Sequence, residues 1–469
     1  MTHPLRLDPD RLLPSDPPTY RMARQLYDSV AHLPIVSPHG HTDPARFAQN
    51  APFENATELL LRPDHYLLRM LYSQGVSLEA LGVGVEADAR ESWRLFAANY
   101  HLFRGTPSRL WLDWVFTEVF GLAERLESET SDLYFDRIGQ LLEGEAFRPR
   151  ALVDRLRIEV IATTDSPLDL LEHHRSIRSA NAKGEWATQV IPTYRPDAVT
   201  DPSHPDFLSN LELLSTLTGE DCHSWSGYLA AHRKRRASFV LMGATASDHG
   251  HPTAATANLA SGDAAALFDR VTRGNPAPEE AELFRAQMLT EMAKMSLDDG
   301  LVMQIHAGAW RNHNAKLFDQ FGPDRGADIP ISGGFTRELK PLLDLVGNEP
   351  RLTLVLFTLD ESVYSRELAP LAGHYPALKL GAPWWFHDSP EGMRRFRRRV
   401  TETAGFYNGA GFVDDTRALL SIPARHDVAR RIDCSFLADL VVDHQLEDWE
   451  AAELAIDLAG ALARRTYRL

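Results

Sequence analysis

From residue 150 onward, short β-branched or apolar runs alternate with stretches of helical spacing, which leaves the chain few folds. The runs are Ile158–Thr163, Thr188–Tyr194, Phe239–Ala246, Leu301–His306, Leu352–Phe357, Leu378–Leu380 and Phe412–Asp415. One more, which begins at Leu33 and ends in His39 and His41, precedes them. Strands separated mostly by helices predict an α/β fold, a (β/α)8 TIM-like barrel. A doubly wound open sheet is the alternative. It fits less well, because no Gly-x-Gly-x-x-Gly follows an early strand and no phosphate loop is present. Between the first and second runs, residues 55–150 carry almost no strand signal, while Trp, Phe and Leu recur at helical spacing. The expected organisation is a single barrel domain over residues 1–469, with 55–150 a mostly helical insertion packed on it. The stretch from Arg425 reads as helical and should cover the barrel.

Charge and cysteine content narrow the function classes. With 49 basic and 65 acidic residues the net charge is −16, which argues against nucleic acid as the main partner. An anionic ligand would need local arginines, because the overall field repels it. Two cysteines, Cys222 and Cys434, are no disulfide framework and suit a reducing cytoplasm. The sequence Met1-Thr2-His3-Pro4-Leu5 lacks a basic and apolar signal pattern. No run approaches the roughly 18 apolar residues of a membrane span. A membrane partner is therefore not expected. A homo-oligomer is compatible with the composition, since an interface and a core aromatic patch look alike in one sequence.

Chemistry in a barrel sits at the C-terminal ends of the strands. The first run ends in His39-Gly40-His41, and residues i and i+2 of a strand point to the same side. Both imidazoles can meet one ion there. The spacing alone is weak, since 19 histidines supply about one such pair by chance, and His249-Gly250-His251 is a second pair. Position favours the first. The other strand ends offer Thr163, Thr164 and Asp165, then Arg195, Asp248 with His249, His306, Asp360, Trp384 with Trp385, and Asp414, Asp415 and Arg417. In a closed barrel the eighth strand neighbours the first, so Asp415 can join His39 and His41. Two neutral imidazoles and a carboxylate suit one divalent metal, Zn²⁺ or Mn²⁺. His306 reads as a further ligand, a substrate contact, or a satisfied core histidine. Arg195 and Arg417 at the mouth suit a carboxylate, with surface ion pairs as the bland reading. Arg311 is a third candidate.

The histidine pair and the late aspartate resemble the amidohydrolase superfamily of metal-dependent barrels. Strand six ends in Thr358-Leu359-Asp360 without the histidine that most of its hydrolases carry there, so a two-metal hydrolytic site looks incomplete. Finer motifs are similar to the uronate isomerases along nearly the whole chain. They are Ser37-Pro38-His39-Gly40-His41, Asp64-His65-Tyr66, Ala162-Thr163-Thr164-Asp165-Ser166-Pro167 and Tyr194-Arg195-Pro196-Asp197. Later come Gln304-Ile305-His306, Arg311-Asn312-His313-Asn314, Trp384-Trp385-Phe386 and Asp415-Thr416-Arg417. One departure is Gly40, where many members carry Cys. The resemblance implies interconversion of D-glucuronate with D-fructuronate, and of D-galacturonate with D-tagaturonate, by proton transfer from C2 to C1 through a cis-enediolate. It implies that Asp415 carries that proton and Tyr66 handles the hydroxyl proton. It also implies that Arg195 and Arg417 hold the uronate, while His65, His306 and Trp384 complete the pocket. A metal-dependent hydrolase acting on an anionic sugar derivative or lactone shares the ligands and is the competing expectation. A non-catalytic binding barrel is the third.

Overall fold

The computed structural model describes residues 3–469. Its main sheets are parallel and short-stranded. β1 (Ile35–Ser37), β2 (Ile158–Ala162) and β3 (Gln189–Ile191) form one sheet in that order. A second sheet contains β4 (Ala246–His249) and β5 (Val302–Ala307). A small antiparallel pair, β6 (Ala309–Trp310) and β7 (Ile329–Pro330), follows β5. β8 (Leu354–Thr358) and β9 (Leu378–Leu380) complete the second sheet in the order β4-β5-β8-β9. Single parallel bridges tie Tyr194 to Asp165 and to Ser247, and Leu380 to Gly409. The His41 N–H donates to the Thr416 carbonyl at 2.9 Å.

Strand β5 explains how such a sheet organises two layers. All six of its residues are buried, as expected for a strand covered on both faces. Met303, Ile305 and Ala307 join a core with Phe284, Met288 and Met292 of the helix Pro278–Asp299. Val302 packs instead with Val355, Phe357 and Tyr467. With period-2 alternation, Gln304 and His306 share the Val302 side and face inward. Residues 55–155 are largely helical, including His65–Ser73, Ala89–Ala98, Pro107–Trp114 and Ser131–Leu142. Trp93, Phe96, Tyr100 and Phe116 form an aromatic centre there, continuous with Ile35 and Ile158 of the first sheet.

Two expected strands are corrected. Phe239–Ala246 is not one strand. The helix Trp225–Leu241 runs through Phe239, and β4 begins only at Ala246. A short apolar run cannot by itself separate a buried helix end from a strand. Phe412–Asp415 forms no regular strand. Gly411, at φ +88°, lies so close to Ala463 that a Cβ would sit 2.6 Å from that residue's backbone nitrogen. The segment bends against the last helix instead of pairing along its length. No helix among the described residues is long and apolar enough to cross a membrane.

One buried histidine sets a pH response of the fold. His232, fully buried, shares a 2.7 Å hydrogen bond between its Nδ1 and the Tyr194 hydroxyl. Burial, helped by the nearby Arg236, pushes its pKa down to about 3. Unfolded, the imidazole binds a proton near pH 6.5, so the unfolded state holds more protons between about pH 3 and 6.5. Stability from this group is present above pH 6.5 and is lost as pH falls through that window. The slope is at most about 1.4 kcal/mol per pH unit. His232→Gln, which keeps a partner for Tyr194, is expected to flatten the decline of the urea midpoint between pH 7 and 4. An unchanged decline would remove His232 from the account.

Candidate active site

The site begins with the way β1 ends. After Ser37 the chain turns out of the sheet, and His39 and His41 come to lie with ring centroids 5.3 Å apart. Asp415 reaches them from the segment following Gly411. It adopts φ +40°, a conformation that L-residues rarely hold. Its Oδ1 lies 3.1 Å from His41 Nε2 and 3.5 Å from His39 Nε2. That oxygen is buried and has no hydrogen-bond partner. Burial would raise the Asp415 pKa, but His39 and then His41 overcome it and hold the carboxyl well below its usual range. Burial pushes His39 down to about 4 despite the Asp248 and Asp415 charges. Two imidazoles facing an otherwise orphaned carboxylate oxygen are a donor set that fits a divalent cation.

Behind this trio lies a charged chain that no single motif announced. His306 stacks on His39 with centroids 4.8 Å apart. Its Nδ1–H donates to Asp248 Oδ1 at 2.5 Å. Asp248 is completely buried and also accepts from Arg195 Nη1 at 2.6 Å. Burial favours its neutral form, yet Arg195 and His306 outweigh that and keep it ionised. An ionised carboxylate only accepts, so the Asp248 contact fixes the His306 proton on Nδ1 and leaves Nε2 free. That Nε2 is buried without a partner. Arg195 also donates from Nε to Asp197 Oδ2 at 2.9 Å. A Cβ at Gly250 would lie 2.0 Å from the Arg195 guanidinium, so only glycine admits it along this path.

These groups open into a cavity of about 490 Å³. His39, His41 and Asp415 line it together with Arg195, His306 and Arg417. His65 and Trp384 are also on its wall, as expected from the sequence. Arg311 is there too, its Nη1 3.1 Å from Asp328. Arg417 Nη2 is 2.9 Å from Asp324, which also has positive φ and sits in the loop after Phe321. Both aspartates line the cavity, and nothing in the sequence had drawn attention to them.

Tyr66 stands apart from the open cavity. Asp64 caps the helix His65–Ser73 by accepting from the Tyr66 and Leu67 backbone N–H groups, which sets both His65 and Tyr66 in the first turn. His65 stacks on Tyr66, and both rings lie against Trp385. The Tyr66 hydroxyl donates to the Trp385 carbonyl at 3.3 Å. It lines a narrow crevice that shares Trp384, Trp385 and Asp415 with the cavity wall. Below it, Arg425 of the helix Ser421–Val442 is ion-paired with Asp388 and lies 3.6 Å from the centre of the Trp111 ring. The second histidine pair is also placed. His249 and His251 cluster with Asp197, whose carboxylate is already engaged by Arg195 and the Gly250 N–H. Neither ring lines the cavity.

The chain is similar to known proteins over nearly its whole length. A family model described as glucuronate isomerase matches residues 18–460. A uronate isomerase of Sphingopyxis alaskensis is 68% identical over 470 residues, covering 100% of both chains. The crystal structure of glucuronate isomerase from Caulobacter crescentus superposes with a TM-score of 0.97 at 59% identity, covering 99% of this chain and 98% of the other. A uronate isomerase structure from Thermotoga maritima gives 0.92 at 28% identity, covering 98% and 99%. Match of the family model over nearly all of the sequence, and of relatives over all of it, means that the chain belongs to the glucuronate isomerase family.

Proposed function

We propose that the protein interconverts D-glucuronate with D-fructuronate, and D-galacturonate with D-tagaturonate. The observation that carries this is the cavity itself. In a chain of net charge −16, one cavity wall holds Arg195, Arg311 and Arg417 beside the His39, His41 and Asp415 cluster. Guanidinium groups bind carboxylates bidentately, so an anionic sugar acid suits a site that the overall charge would otherwise disfavour.

Aldose to ketose conversion moves the C2 hydrogen to C1 as a proton, and the O2 proton to O1. No oxidant is consumed. Asp415 is ionised at neutral pH and can accept the C2 proton without first losing one. Buried on the cavity wall, it can return that proton to C1. Tyr66 remains protonated, because burial raises its pKa, and we assign it the hydroxyl proton across the crevice it shares with Asp415. Arg195 and Arg417 hold the carboxylate and neighbouring hydroxyls, with His65, His306 and Trp384 shaping the pocket. His39, His41 and Asp415 would hold one divalent cation, for which Zn²⁺ suits the ligand set, and that ion supplies Lewis-acid stabilisation of negative charge on substrate oxygens.

We further infer a closed (β/α)8 barrel with residues 55–150 inserted after its first strand. The single bridges at Tyr194–Ser247 and Leu380–Gly409, and the His41 to Thr416 hydrogen bond, support closure. Two free, buried cysteines favour a cytoplasmic location.

Incubating D-glucuronate with the protein in D₂O and following it by NMR tests this function. The expected result is D-fructuronate carrying, at C1, hydrogen derived partly from C2. Absence of any ketose would overturn the proposal. Full solvent labelling at C1 would replace direct transfer by Asp415 with exchange at an open base.

A further inference from the structure

A buried amide lies on the far side of His39 from the cavity's open space. Gln304, on the inward face of β5, is fully buried, and so is Tyr467 at the end of the last helix. Gln304 Nε2 lies 3.3 Å from His39 Nδ1, and Gln304 Oε1 lies 3.0 Å from the Tyr467 hydroxyl. Its strand neighbours in register are Asp248 on β4 and Val355 on β8. His39 is therefore held between a stacked imidazole, His306, and this amide. Burying a primary amide is costly unless its hydrogen bonds are made. Here both ends are engaged, one of them by a histidine of the site.

The chemistry of the pair goes further than filling space. His39 Nε2 is the atom that faces Asp415. With that nitrogen engaged by a cation, the ring proton must sit on Nδ1, where it needs an acceptor. Turning the Gln304 amide end for end presents Oε1 to Nδ1–H and the NH₂ group to Tyr467. A phenol both donates and accepts, so Tyr467 satisfies either orientation. A carboxylate here would also accept, but it would bury a further negative charge beside Asp248 and Asp415.

We propose that Gln304, backed by Tyr467, is a positioning residue that selects the Nδ1–H tautomer of His39 and so fixes its Nε2 toward a bound divalent cation. This rests on the reading of His39, His41 and Asp415 as the metal site. Partners of this kind typically contribute 10- to 100-fold in metal affinity. Gln304 would set affinity and ring orientation without touching substrate.

Zinc dissociation constants, measured on the full chain by competition with a chromophoric chelator, test it. Gln304→Met keeps the side-chain length but has no comparable acceptor. It is expected to weaken zinc binding by about 10- to 100-fold. Gln304→Glu, which still accepts from Nδ1–H, is expected to bind zinc at least as tightly as the parent. Tyr467→Phe leaves the amide unanchored at one end and is expected to lose less than about tenfold. Unchanged zinc affinity in Gln304→Met overturns the proposal. So does an equal loss in the Met and Glu variants, which would mean the amide acts by shape alone. His39→Ala is the control. If it retains zinc at parental affinity, the metal-site reading itself fails, which the Gln304 variants cannot mimic. Thermal unfolding of each metal-free variant separates a folding defect from a loss of ligand geometry.

Discussion

Asp415→Asn is expected to lower kcat/KM for D-glucuronate by about 10²- to 10⁴-fold, the range that a positioned proton-transfer group contributes. The substitution is nearly isosteric, so the loss reports chemistry more than packing. It removes the carboxylate that would take the C2 proton. It also removes the negative charge that His39 and His41 face at 3.5 and 3.1 Å. The oxygen that faces the two imidazoles, Oδ1, has no hydrogen-bond partner. Zinc affinity should fall with activity, because an amide oxygen is a poorer ligand than a carboxylate. Steady-state kinetics at saturating zinc separate the two. A deficit that persists there belongs to proton transfer, whereas recovery to within tenfold of the parent would remove Asp415 as the proton carrier.

Arg195→Met should damage the fold as well as the chemistry. Arg195 lies between two carboxylates, donating 2.6 Å to Asp248 and 2.9 Å to Asp197. Asp248 has no exposure to solvent, so the substitution strands a charge in the interior. Removing one partner of a buried pair costs about 3–5 kcal/mol. Urea unfolding at pH 7 should register a loss of that order. Arg195→Lys is expected to recover only part of it, since a single ammonium cannot reproduce the divided fork of Nε and Nη1. His306 depends on the same charge, because Asp248 holds its proton on Nδ1. A Met variant as stable as the parent would mean that Asp248 finds another cation or takes up a proton.

Residues at strand ends were the legible part of this site. His39, His41 and Arg195 lie just beyond, and His306 within, runs whose apolar character marks them as buried strands, although period-2 geometry aims only His306, since the chain has left the sheet at the other three. Asp415 was legible by barrel logic, although its own segment is no regular strand. The run Phe239–Ala246 misled because Phe239, Val240 and Leu241 close a helix, where only Phe239 is buried and the other two apolar side chains are exposed. Tyr66 was visible only through family resemblance. On its helix it looks like any core aromatic, and the structure does surround it with Trp111 and Trp385. Asp324 and Asp328 could not be read at all, since their significance depends on a loop crossing the mouth. Gln304 was noticed as part of a motif, but its link to His39 and Tyr467 spans 265 and 163 residues.

That loop has an energetic consequence for any ligand. Arg417 already pairs with Asp324, and Arg311 with Asp328. If Arg417 takes the uronate carboxylate as proposed above, the newcomer either uses the unpartnered Nε and shares the guanidinium with Asp324 or takes that aspartate's place. Where it takes the aspartate's place, binding would be an ion exchange in which the number of ion pairs hardly changes. Its affinity should then respond less to ionic strength than three arginines in one cavity would suggest. The protein would distinguish sugar acids by the hydroxyls around the carboxylate, because the charge itself is matched by the aspartate it replaces.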